Sequence, residues 1–275
     1  MLIAGTVPIE GLEPTEGRAE VRGDRVVVAG KEVPVSMGTA AAVAAAVEAA
    51  EVLEVDPPRF LTAGDLGDGS GSLELYRRLR EVDEDVLLPH YIKPKIDEIR
   101  RVDVPERAVA DAGGMYGAKA AGISDRFHVF LPDPGELAFL ADERAHHPAY
   151  VRGFLAEVDE EKAPELARRA YEAGLVPRYL VVKGRRDYVV RDGKVEEVVE
   201  EPLIPAMECV GGTGDTLAGM VTALLAAGLD TVDACTIACR ANRRLGEAVG
   251  VTPATRVSEL IRAIPEVLKE ELRRG

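Results

Sequence analysis

The chain has 275 residues, 47% of them hydrophobic, a formal net charge of -14 and a mean hydropathy of -0.02. That length can bury a full core, and we expect one domain over residues 1–275. The acidic balance argues against a nucleic-acid partner, which needs a basic face, and no apolar run reaches the roughly 20 residues that cross a bilayer.

The opening MLIAGTVPIEG lacks a basic stretch ahead of an apolar core, so no secretory leader and a cytoplasmic location are expected. Two early pieces, Leu2–Ala4 and Arg25–Ala29, have strand character, and the alanine-rich run Met37–Val52 predicts a helix. Strand Arg59–Ala63, helix Ser72–Glu81, strand Asp85–Pro89 and strand Ala108–Asp111 follow. A small-residue helix at Met115–Ala121 leads to strand Phe127–Pro132 and helix Pro134–Asp142. Beyond a polar loop carrying His146 and His147, Lys162–Ala173 predicts an amphipathic helix stopped by Gly174. Strand Tyr179–Lys183 precedes Tyr188–Val190 and Val195–Val199, which Asp192-Gly193 joins as a hairpin. Helices Asp215–Ala227, Thr231–Val249 and Val257–Arg273 complete the chain.

Strands alternating with helices, the strands reading as continuous apolar runs, predict a mainly parallel sheet covered on both faces, with an antiparallel hairpin at one edge. Ligands bind beyond the carboxyl ends of such strands. Gly64, Asp65 and Asp111 fall at those ends and are candidates for the substrate side. Glutamine is absent, Asn242 is the lone asparagine, and Glu, Arg and Val are abundant, a thermophile's pattern. Cys235 and Cys239, four apart on a helix, read as buried thiols. Four scattered histidines do not suggest a zinc site.

Three segments carry chemistry. In CVGGTGDTLAGM, residues 209–220, the glycines let backbone N–H groups of Gly211, Gly212, Thr213 and Gly214 converge where a helix begins, a site for an anion. Asp215 would then take a proton from a hydroxyl attacking the bound group. The plainer reading is a helix cap. In LPDPGELAFL, residues 131–140, Asp133 and Glu136 could hold a hydrated Mg2+, or could simply cap the helix that Pro134 starts. Lys183 with Gly184 ends a strand and could pair with a nucleotide phosphate, or could be an ordinary charge entering the hairpin. There is no P-loop, and GDLGDGSG at 64–71 completes no dinucleotide fingerprint.

In this order, acid-Pro-Gly-Glu, Val-Lys-Gly and Gly-Thr-Gly-Asp resemble the ribokinase-like superfamily, and most closely its ATP- or ADP-dependent NAD(P)H-hydrate dehydratases. The match is densest over GGTGDTLAG (211–219), with Pro134-Gly135-Glu136 and Lys183-Gly184 in their places. VKGRRDYVVRDGK (182–194) also resembles hydroxyethylthiazole kinases, which usually carry Cys where this chain has Asp215. The resemblance implies a three-layer α/β/α fold, ATP or ADP with Mg2+, a small hydroxylated substrate and a homo-oligomer. It implies phosphate-binding amides at Gly212–Gly214, Asp215 as base, Glu136 and Asp133 at the metal, and Lys183 at the nucleotide. Dehydratases usually have His where Asp133 stands, the N-terminal third lacks their clear glycine-rich segment, and no companion epimerase domain is expected. A small-molecule kinase and a non-catalytic nucleotide-binding regulator are the competing expectations.

Overall fold

A computed structural model describes residues 1–36, 38–145 and 162–274. The expected start of the first helix at Met37 and the His146-His147 loop lie outside them. In chain order the strands are β1 (Leu2–Val7), β2 (Thr15–Arg22), β3 (Arg25–Val28), β4 (Lys31–Pro34), β5 (Arg59–Gly64), β6 (Val86–Pro89), β7 (Arg107–Ala110), β8 (Val129–Phe130), β9 (Tyr179–Val182), β10 (Asp187–Arg191) and β11 (Lys194–Val199). The helices are α1 (Thr39–Val52), α2 (Ser70–Arg78), α3 (Ile96–Ile99), α4 (Gly113–Ala121), α5 (Pro134–Leu140), α6 (Ala163–Glu172), α7 (Thr213–Ala226), α8 (Thr231–Val249) and α9 (Val257–Arg274).

Among the described residues one sheet runs β11-β10-β9-β8-β7-β6-β1-β5-β2-β3-β4. The pairs from β9 through β8, β7, β6 and β1 to β5 are parallel, and both flanks are antiparallel. Side chains alternate between two cores. Ile3, Phe60, Leu88 and Val109 pack with α1, α7, α8 and α9, whereas Ala4, Leu61, Leu87 and Ala110 pack with α2, α4, α5 and α6. This is the three-layer α/β/α arrangement expected.

Beyond the expected edge hairpin, a second antiparallel flank, β2-β3-β4, closes the other end of the sheet. Its middle strand β3 is the expected Arg25–Ala29 piece, but the polar strands β2 and β4 beside it were hidden, since only Ala19 of TEGRAEVR in β2 and Val33 of KEVP in β4 are buried. Its tight turn also escaped the Asn/Asp-Gly rule, because Ala29 takes the positive φ ahead of Gly30. The Asp192-Gly193 hairpin is present, with φ of 50° and 81°.

The chain runs from β1 out to β5 on one side and returns to β6 on the other, so the strand order switches at β1. Helices α1 and α7 start above this point and pack side by side. Gly219 permits the approach: a Cβ there would lie 2.1 Å from the Ala42 carbonyl oxygen. Cys235 and Cys239 are buried on α8, and burial pushes the Cys235 thiol up to about 12. No helix among the described residues is long and apolar enough to cross a membrane.

Candidate active site

Beyond the carboxyl ends of the parallel strands, β6 presents His90, β7 Asp111, β8 Asp133 and β9 Lys183, while α7 opens against them. The first residue of that opening is Gly212, whose φ of 106° is left-handed and costs glycine nothing. A Cβ there would also stand 2.9 Å from Val257 Cγ2. The first intrahelical bond runs from Thr216 N–H to the Gly212 carbonyl, so the amides of Thr213, Gly214 and Asp215 precede it at the positive end of the helix. A Cβ on Gly214 would lie 3.4 Å from Lys183 Nζ. A full positive charge thus sits over the amide cluster, and the two together suit an anion.

Asn242 braces this turn from α8. Its Nδ2 donates to the Thr213 carbonyl at 3.1 Å, and its Oδ1 accepts from Thr216 Oγ1 at 2.7 Å. Gly211 lies just outside the helix, between a short 3-10 turn (Pro205–Cys209) and Gly212.

Asp215 is 7% exposed. Its Oδ2 accepts from Gly38 N–H at 2.6 Å, and its Oδ1 lies 3.2 Å from His90 Nε2. Burial works to raise its carboxyl pKa, but the His90 ring, the Gly38 amide and the Lys183 ammonium outweigh it and hold the group below the usual carboxylate range. Asp215 is therefore ionised and aimed into the site, as a general base must be. Asp111 is also buried, with Lys183 Nζ donating to its two oxygens at 2.8 and 3.0 Å. Burial alone would lower the Lys183 pKa, yet Asp111 and Glu136 more than compensate and raise it.

Asp133 and Glu136 form a complete capping box on α5. Glu136 N–H donates to Asp133 Oδ1 at 2.7 Å, and Asp133 N–H donates to Glu136 Oε2 at 2.9 Å. Tyr116 OH donates to Glu136 Oε1. Both Glu136 oxygens thus hold donors from the chain itself. Burial pushes the Glu136 carboxyl up to about 7, opposed by the Lys183 ammonium 4.0 Å away.

A cavity of about 480 Å3 opens beside this constellation. Asp133, Lys183, Gly184, Thr213, Gly214, Asn242 and Arg243 supply its polar lining, and Leu203, Ile204 and Met207 part of its apolar lining. Arg243 fixes one wall: it pairs with Asp187 at 2.8 Å and donates to the carbonyls of Gly184, Arg185 and Glu200.

Gly64 and Asp65 stand at the end of β5. The Gly64 position has no room for a side chain, since a Cβ would meet the Ile9 carbonyl oxygen at 2.0 Å. Against the effect of partial burial, the amides of Gly69, Gly67 and Ser72 with the Ser72 hydroxyl hold the Asp65 carboxyl at about 2. Asp65 ties its own loop to α2, so its oxygens are already engaged.

His90 and Gly38 were missed in the sequence. The signal for His90 was present: it follows the expected strand Asp85–Pro89, the same strand-end logic that singled out Asp111 and Lys183. Gly38 had none, because its amide meets Asp215 across 177 positions.

A family model described as NAD(P)H-hydrate dehydratase (Carb_kinase) matches residues 89–266, which contain every element of this site except Gly38 and the β5 end. The chain belongs to that family. In fold it is similar to a ribokinase-like superfamily protein from Enterococcus faecalis, with TM-score 0.55, 16% identity, and 84% and 82% of the two chains covered. An uncharacterized protein of Methanocaldococcus jannaschii, MJ1337, is 48% identical over 231 residues, covering 84% of this chain and 100% of that one. An ADP-dependent (S)-NAD(P)H-hydrate dehydratase of Cenarchaeum symbiosum is 28% identical over 177 residues, or 64% of this chain and 56% of the relative. In fold, the chain is similar to the ADP/ATP-dependent NAD(P)H-hydrate dehydratase of Bacillus subtilis co-crystallized with ATP/Mg2+ and soaked with CoA: TM-score 0.57, 17% identity, 84% and 87% of the two chains covered.

Proposed function

We propose that the protein is an ATP- or ADP-dependent, Mg2+-requiring NAD(P)H-hydrate dehydratase. The observation that carries this reading is the placement of an ionised, buried Asp215 at the mouth of α7, one residue beyond Gly214 and its Lys183 ammonium. The nucleotide supplies a phosphoryl group that turns the hydrate's hydroxyl into a leaving group. The chain's residues fit it: amides at Gly212–Gly214 and the Lys183 charge would hold its phosphates, and the cavity walled by Arg243 would take the rest. Asp133 lines that cavity and its Oδ2 would hold Mg2+ through water; Glu136, its oxygens already bonded, would act by fixing Asp133.

The work of the protein is then positional. Asp215 takes the hydroxyl proton, the α7 amides and Lys183 stabilise charge on the transferred group, and burial of Asp111, Asp215 and Lys183 keeps bulk water from competing.

Incubation with ATP or ADP, Mg2+ and hydrated NADH should regenerate NADH, and Asp215→Asn should lower the rate by at least ~100-fold, the lower end for removal of a general base. Nucleotide should still bind. Absence of NADH recovery at high enzyme would refute the assignment. Phosphorylation of another hydroxylated metabolite would move the protein to the small-molecule kinases, and binding without turnover of any acceptor would make it a nucleotide-binding regulator.

A further inference from the structure

Among the described residues, His90 is a buried titratable group beside the site that the mechanism above leaves unused. Its side chain is fully buried, and Nε2 makes no hydrogen bond of ordinary geometry among the described residues. That nitrogen points at two carboxylates, 3.2 Å from Asp215 Oδ1 and 3.9 Å from Asp111 Oδ2. A buried ring nitrogen without a partner is costly, and such a cost persists where it serves the site.

The ring is also held in place. His90 N–H donates to the Ala4 carbonyl at 2.7 Å, and the His90 carbonyl accepts from Thr39 Oγ1 at 3.3 Å. Thr39 Oγ1 in turn lies 3.5 Å from His90 Nδ1. Neighbouring Gly5 has no Cβ, which would fall 1.9 Å from the His90 carbonyl oxygen. Tyr91 packs on the ring, with centroids 4.7 Å apart, and has a positive φ of 48°.

We propose that His90 is a positioning residue for the base: its Nε2–H secures Asp215 Oδ1 while the Gly38 amide secures Oδ2, so the carboxylate presents one fixed face to the substrate hydroxyl. This rests on Asp215 being the base of the proposed reaction. Without substrate the two atoms stand 3.2 Å apart but make no hydrogen bond of ordinary geometry, and catalytic hydrogen bonds that are poorly aligned in the free protein form when the complex does. With Gly38 alone, the carboxylate is free to turn about its terminal torsion, which is broad for aspartate.

The same contact has an electrostatic consequence. Asp215 is faced by His90 after β6, Asp111 after β7, Lys183 after β9, the Tyr91 phenol and the Gly38 amide at the start of α1. Burial raises the Asp215 pKa, and the His90 ring contributes to keeping it low. Without the ring the carboxyl titrates at higher pH, so the acid limb of the rate profile moves up.

The test compares wild type, His90→Ala and His90→Gln, in which the amide N–H reaches close to the Nε2 position. Three quantities are measured: NADH recovery as a function of pH, nucleotide affinity by calorimetry, and titration of the aspartate carboxyls by 13C NMR in the ligand-free protein, with Asp215→Asn for assignment. In His90→Ala we expect kcat to fall about 10- to 100-fold, in the range for a misplaced catalytic group, with nucleotide affinity unchanged. The acid limb and the Asp215 titration should both move to higher pH, and His90→Gln should recover most of kcat. An Asp215 titration in His90→Ala at the wild-type position would overturn the proposal, as would a folded His90→Gln no more active than His90→Ala. If His90→Ala does not fold, His90→Asn, whose shorter amide stops short of Asp215, takes its place. Failure of wild type to recover NADH would sink the dehydratase reading alone, since the NMR titration still decides the role of His90.

Discussion

Gly219→Ala probes the link between helix packing and the base. The new Cβ would stand 2.1 Å from the Ala42 carbonyl oxygen, 0.9 Å inside the 3.0 Å that real Cβ contacts respect. The obstacle is backbone of a neighbouring helix, so it cannot swing aside as the end of a long side chain could. Overpacking of this kind costs about 3 kcal/mol at the upper end of its usual range. Replacing glycine by alanine inside a helix returns about 1 kcal/mol through propensity. The net expectation is a loss of about 2 kcal/mol.

The strain falls on the first turn of α1, next to Gly38, whose amide holds Asp215. A displacement approaching 1 Å at a catalytic group costs on the order of 100-fold in rate. Guanidinium unfolding followed by circular dichroism, suitable for a chain without tryptophan, should show a lower midpoint at an unchanged m-value. NADH recovery should fall with it. A variant with the wild-type midpoint and wild-type kcat would show that α1 and α7 have slack here and that the glycine does not set the Asp215–Gly38 contact.

Arg243→Met strips the buried Asp187 of its ion pair, leaving the Gly184 amide on its other oxygen, and frees three carbonyls, so stability should fall by about 3–5 kcal/mol, and adding Asp187→Asn should restore part of that in the same urea titration. Lys183→Met should weaken nucleotide binding about 10- to 100-fold by calorimetry, the scale of a lost charge-assisted contact. It should also destabilise the fold by stranding Asp111. Lys183→Met with Asp111→Asn should regain stability but not affinity, and regained affinity would exclude Lys183 as a phosphate contact. Glu136 titrates higher in the folded state than in the unfolded one, so its contribution to stability is full below about 4.5 and is lost as pH rises toward about 7. Glu136→Gln should therefore flatten the decline of the urea midpoint across that window; an unchanged slope would place the titration elsewhere.

Much of the parallel framework was legible because its signals are local. Valine-rich strands buried on both faces read as apolar runs, Gly174 and Asp192-Gly193 mark the ends of their elements, and a strand end places the next residue on the ligand edge whatever lies beside it. That is why Asp111, Asp133 and Lys183 could be singled out one at a time, while Asp215 stood out from the glycine-rich start of its helix. Of the β2-β3-β4 flank only the valine-rich β3 was legible, since the polar β2 and β4 leave no alternating pattern and Ala29 in a positive-φ turn has no signature.

What the chain order alone determined, then, is which residues stand at the working edge. The tertiary structure decided what each one does there, because partners so far apart in sequence leave no spacing to read. The box with Asp133 and the Tyr116 hydroxyl engage the two oxygens of Glu136, Lys183 is paired with Asp111 beside Gly214, and Asp65 is turned back into its own loop. Both oxygens of Asp215 are met only where Gly38, from the start of α1, and His90, from the end of β6, come against them. Gly219 joins both levels: the motif displays it, and only the packing of α7 on Ala42 explains it.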